Sequence, residues 1–358
     1  MRRTAARALN FVVLASLFPP GAVLGVDQTN KIPGGPEAKK AVEARRGKTE
    51  LSKLAARMKP GTWAELKTET PKGLWSAPPP SKGLHVGTWS DDAHWDSRTG
   101  QFLFFGVRQT RKFVAYSEEK NAWRVIEFHQ AANAPALKQQ YGHQYSLNAL
   151  DPERSRFHAG GYRYDVLADK WSQLPPAVPG RNSMVQEYFS GMNGLLSLAR
   201  QPPGTLRFYS EDKQSWSSLG VIPIHGYHSM ARHNPFREEV LFAGGNDSRA
   251  VVVLYKDGKI KRMKDFPEPL TVRHGILTVD PASGRYLIMA RERRFLEFDS
   301  EKNEYRLIDD FTKTPWPFHH YDAPLTAFIP EYDVTMWADR KVFLYKHNAL
   351  GEIGKNPR

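Results

Sequence analysis

Apolar residues in this chain fall in short runs parted by polar turns, and the runs recur in one order with a period of roughly 45 residues. The clearest mark of the period is an aromatic pair seven positions apart: Tyr116 and Trp123, Tyr164 and Trp171, Tyr209 and Trp216, Phe298 and Tyr305. Each unit predicts four strands, A to D. Strand A runs into a turn rich in Asx and Pro, as at Ser146–Asp151, Ser229–Asn234 and Gly275–Asp280, each followed by proline. Strand B is the most apolar, as in Phe102–Phe105, Val240–Ala243 and Val334–Trp337, which suits a strand covered on both faces. Strand C carries the Tyr or Phe of the pair, and strand D carries the Trp followed by a nearby aliphatic residue.

A, B and C strands occur in six units, but the sixth, Tyr321 to Lys346, lacks its D strand. Trp63-Ala64-Glu65-Leu66 matches the D pattern of Trp171-Ser172-Gln173-Leu174 and has no A, B or C strand before it. The expected fold is therefore all-β: a six-bladed β-propeller over residues 61–347, its ring closed by an N-terminal strand around Trp63. Closure of this kind removes an aggregation-prone edge. The alternative is that Trp63 continues the preceding segment and packs on the surface.

Outside the repeats, Arg2, Arg3 and Arg7 precede an apolar stretch from Leu9 to Phe18, which predicts a signal peptide over residues 1–25 and a periplasmic or secreted mature chain. About ten apolar residues are too few to span a bilayer of about 30 Å, so no transmembrane segment is expected. Residues 26–60 predict a flexible basic arm: nine Lys or Arg stand against four acids from residue 27 onward, and the only apolar face is Leu51, Leu54 and Met58. Residues 348–358 form a C-terminal tail. A length of 358 residues and 40% hydrophobic content suffice for one large closed domain, expected to be a monomer. The net charge of +13 falls to +10 without the first 25 residues, and the arm holds half of that. No dense basic stripe interleaved with aromatics remains, which excludes nucleic acid as a partner. The chain has no cysteine, which rules out disulfides, thiolate chemistry and a lipoprotein anchor.

The Gly160-Gly161 and Gly244-Gly245 doublets after strand B, with Tyr164 and Trp171 in the most regular copy, resemble the kelch type of β-propeller. That class includes the central domain of galactose oxidase and the bacterial sialate mutarotases. The resemblance covers residues 61–347, although only two of six units keep both glycines. It implies the fold far more than an activity. The Cys-linked tyrosine cofactor of galactose oxidase is excluded because there is no cysteine.

In such meanders the starts of the A strands, the B–C loops and the ends of the D strands share one face. Most of the chemically versatile residues map there. His143, Tyr145, Glu187, His228, Arg273, His274, His320 and Asp322 stand at A-strand entrances around the channel mouth, and Arg291 joins them from a B–C loop. Tyr145, His228 and His274 each lie six residues before Asp151, Asn234 and Asp280, which predicts a common depth. The arginines suit carboxylate or sulfate groups through bidentate contacts. The histidines could hold a transition metal or merely bond to their own blades. Three functions follow: a binder of an anionic glycan or small sugar acid, a sugar-acid mutarotase, epimerase or metal-assisted lyase, and a protein-interaction scaffold.

Overall fold

The computed structural model describes residues 32–76, 85–90, 92–106, 112–126, 145–174, 183–199, 203–246, 248–272, 275–290, 293–314, 318 and 324–349. These residues form six four-stranded antiparallel sheets, a six-bladed β-propeller, and two short helices. After β1 (Thr62–Leu66) come five complete blades. They are β2–β5 (His94–Asp96, Gln101–Gly106, Lys112–Ser117, Ala122–Ile126), β6–β9 (Asn148–Asp151, Arg156–Ala159, Tyr162–Asp165, Lys170–Gln173) and β10–β13 (Ser183–Phe189, Gly194–Ala199, Gly204–Ser210, Ser215–Ile222). Next come β14–β17 (Ser229–Asn234, Glu239–Gly244, Val251–Tyr255, Ile260–Arg262) and β18–β21 (Ile276–Val279, Tyr286–Met289, Arg294–Asp299, Glu304–Asp310). Blade 6 contains β22–β24 (Leu325–Ile329, Val334–Ala338, Val342–Lys346), and β1 completes it.

The expected closure is present: Trp63 lies opposite Tyr345, and Leu66 opposite Val342. The seven-residue spacing has a simple cause. Tyr116 faces Trp123, Tyr164 faces Trp171, Tyr209 faces Trp216 and Phe298 faces Tyr305 across the C–D hairpins, with ring centroids 4.5–5.4 Å apart. Aromatic cross-strand pairs of this kind stabilise a hairpin and hold its register. The A strands of blades 1, 2 and 4 end in an Asx residue whose side chain accepts from the following turn: Asp96 from Arg98 N, Asp151 from Glu153 N and Asn234 from Phe236 N, at 3.0–3.2 Å. Those of blades 3 and 6 run instead into short 3-10 turns at Ser190–Met192 and Pro330–Tyr332. That repeated stop is what places Tyr145 and His228 at matching distances from the turn face.

Residues 32–60 of the segment expected as a flexible arm are instead folded onto the propeller. Pro36 opens α1 (Gly35–Arg45), and Thr49 caps α2 (Glu50–Arg57) by accepting from Ser52 N at 3.1 Å. Leu51, Ala55 and Met58 enter an apolar cluster with Leu66, Trp95, Tyr332 and Leu344. Charge completes the docking. Arg45 Nε donates to Glu118 Oε2 at 2.8 Å, and its Nη2 donates to Ser97 O. Glu118 also accepts from Thr49 Oγ1 at 2.7 Å and Tyr332 OH at 2.6 Å. The helices thus lie against the A–B turns of blades 6, 1 and 2 and the C–D turn of blade 1, opposite the predicted mouth.

Candidate functional site

Tyr145 and His228, predicted to share a depth, do meet: their ring centroids are 5.3 Å apart. Two aromatics that the register count missed complete the group. Tyr227 stacks on His228 at 3.8 Å, and Trp89 lies 4.9 Å from the same imidazole. Tyr145 OH donates to Tyr227 OH at 3.3 Å, and Tyr145 N donates to Trp89 O at 2.9 Å. His228 Nδ1 is 2.8 Å from Asn246 Oδ1. A carbonyl oxygen only accepts, so Nδ1 carries the proton and Nε2 is the basic nitrogen of the neutral ring.

The backbone beneath these rings is held in an unusual state. Trp89, Tyr145 and His228 have φ of 59°, 49° and 64°, the left-handed region that costs a side-chain-bearing residue about 1–2 kcal/mol. Bulky residues kept in that region cluster at binding and catalytic sites, where the surrounding structure over-determines them. The Gly244-Gly245 doublet explains how the segment is held. Gly245 has φ 96°, and a Cβ there would sit 1.9 Å from His225 O. Bare Gly245 therefore lets residues 225–227 pass close over the blade and present Tyr227 and His228, while a Cβ on Gly244 would meet Leu270 O at 2.5 Å. In contrast, a Cβ on Gly161 would meet nothing within 4 Å.

Glu187 goes elsewhere. It lies two residues along β10 from Val185, which bridges Ser146, and so farther down the channel than Tyr145. There it joins Asp92 and His94, their ligand-capable atoms all within 4.8 Å of one another. Arg232, fully buried, donates to Leu277 O at 3.1 Å and Ala93 O at 3.0 Å, and its Nη2 lies 3.0 Å from Asp92 Oδ1. One guanidinium thus ties blades 1, 4 and 5 across the ring. A cavity of about 40 Å³ beside it is lined by His94, Glu187, Arg232 and His233, and by Pro33 from just before α1.

Burial also sets the acid response. His158 and His233 are pushed down to about 3 from an ordinary 6.5, chiefly because the charged ring would lose its hydration. Between those values the unfolded chain takes up protons that the folded chain refuses. Stability therefore falls as pH drops through that window. Glu331, pushed up to about 7 by burial, opposes this between about pH 4.5 and 7, and burial of Asp96 and Glu239 acts in the same direction. Once these carboxyls are protonated in both states, nothing from them offsets the histidines, and Glu297, Asp299 and Asp310, held below the ordinary carboxylate range, add to the loss. The steepest fall in Tm is therefore expected below about pH 4.5; a Tm flat from pH 6 to 3.5 would contradict the assignment.

Of the residues expected at the site, His143, Arg273, His274, Arg291, His320 and Asp322 lie outside the described residues. No helix among the described residues is long and apolar enough to cross a membrane. No family model matches the sequence, and no curated protein matches it. Among solved structures, the chain is similar to a structural-genomics protein of unknown function from Bacteroides thetaiotaomicron. The match has a TM-score of 0.53 and 8% identity, and covers 79% of this chain and 75% of that one. At that identity the likeness carries the fold alone, and the fold is a β-propeller.

Proposed function

We propose that this chain is an exported, kelch-like propeller that binds an anionic carbohydrate or surface polymer at the face bearing Trp89, Tyr145, Tyr227 and His228. The observation that carries this reading is Trp89 and Tyr145, both held at positive φ, packed around the imidazole of His228, itself at positive φ. Trp and Tyr rings offer flat apolar faces with polar tips, which suit a sugar ring that is apolar on its faces and polar at its rim. The negative charge is assigned to Arg273 and Arg291, which the sequence pattern carries to the same face. Calorimetry against a panel of neutral and acidic glycans tests this. Trp89→Ala and Tyr227→Ala are each expected to weaken binding at least tenfold with Tm nearly unchanged, and Arg273→Ala to weaken only the acidic ligands. Binding to no glycan, or binding indifferent to all three changes, would defeat the proposal.

One observation favours a second reading, an enzyme acting on such sugars. The Asn246 contact orients His228 with Nε2 as a base, which proton transfer in a mutarotase or epimerase requires. Turnover of uronates or sialates followed by NMR, lost in His228→Ala, distinguishes it from simple binding. The scaffold reading gains nothing among the described residues. Their exposed large apolar side chains, Leu167, Val221 and Leu307, stand singly on three different blades.

A further inference from the structure

We propose that the channel interior holds one divalent first-row transition ion, bound by Asp92, His94 and Glu187 and separate from the aromatic mouth. The three side chains come from blades 1 and 3 and are buried, at 0%, 7% and 3% exposure. A carboxylate, an imidazole and a second carboxylate make a mixed oxygen and nitrogen donor set that suits Zn²⁺ or Mn²⁺.

A second, independent observation points to a ligand. Arg232 Nη2 and His94 Nε2 approach Asp92 Oδ1 to 3.0 and 3.1 Å. Neither approach follows a hydrogen-bond direction, and both fully buried oxygens of Asp92 lack a hydrogen bond. Leaving a buried carboxylate oxygen unsatisfied is costly, and a cation is the partner that both oxygens can share.

Charge and space agree with an ion. Two carboxylates, Asp92 and Glu187, are buried here, and a divalent cation would offset their charge. The adjoining cavity of about 40 Å³, lined by His94 and Glu187, has room for an ion with a bound water. Such an ion would join blades 1 and 3 as Arg232 joins blades 1, 4 and 5.

The test uses the purified full chain, stripped with a chelator and titrated with Zn²⁺ and, separately, Mn²⁺ by calorimetry, with metal content counted after dialysis. One equivalent of at least one ion is expected, with a rise in Tm. Glu187→Gln, which keeps the side chain's shape, is expected to weaken the affinity at least tenfold, and His228→Ala to leave it unchanged. Co²⁺ loading reports the imidazole directly: its visible absorption should change in His94→Gln. Asp92→Asn also disturbs Arg232, so Glu187→Gln decides if that variant does not fold. The proposal is overturned if neither ion binds stoichiometrically, or if binding survives Glu187→Gln and is lost in His228→Ala.

Discussion

Replacing Trp63 with alanine is expected to destabilise the chain by about 3 kcal/mol, the lower end for truncating a packed aromatic, because this ring is half-buried. Its neighbours give the reason. Trp63 lies 4.5 Å from Tyr345, 5.0 Å from Trp337 and 6.2–6.3 Å from Phe295, Phe311 and Phe318. Those rings belong to blades 5 and 6, so the truncation loosens the closing strand and the seam between two blades together. A Tm lowered by about 6 °C or more is the readout, with Trp63→Phe recovering most of the loss. A shift of only a degree or two would mean that β1 pairs through its backbone alone.

Arg45→Ala is expected to have a comparable effect, about 3 kcal/mol, through a different mechanism. The Arg45 guanidinium, 12% exposed, faces the fully buried carboxylate of Glu118 at 2.8 Å. Removing one partner of a buried pair leaves the other charge without its counterion, which is more damaging than removing both. Thr49 and Tyr332 would still donate to Glu118, but two hydroxyls do not neutralise it. Chemical denaturation checks this, as does proteolysis around Gly47 between the two helices. Adding Glu118→Gln to Arg45→Ala should return part of the stability. If the double variant is no better than the single one, Arg45 acts through its contact with Ser97 O instead.

The fold was legible because its signals are local and repeated. Aromatic pairs seven apart are cross-strand partners, Asx stops end several of the A strands, and a missing sixth D strand matched the lone Trp63 motif. The docking of the arm was not legible. Its apolar face is short, and its strongest anchor is Arg45, whose acidic partner lies 73 residues away in a turn. A basic residue in a basic stretch reads as solvated unless its counter-charge is known. The mouth was half legible: counting back from the Asx stop found Tyr145 and His228. Trp89 lies seven residues before Asp96 rather than six, and Tyr227 owes its place to the passage over Gly245. Glu187 was placed on the correct strand but at the wrong depth, because alternate residues of an A strand differ in how far down the channel they project.

The closing register also sets an order of events in time. Blades 1 to 5 are hairpin meanders whose partners are neighbours in sequence, so each can form soon after its own strands exist. Blade 6 cannot be completed until Tyr345 meets Trp63 across nearly the whole ring, a pairing of high contact order that local hairpin formation does not bring about. Until then the C strand β24 presents a bare edge, and an intermediate with five finished blades is open to pairing with another chain. The chain should therefore refold in a fast phase that builds hairpins and a slower one that closes the ring. Between the two lies the period when it is most prone to associate.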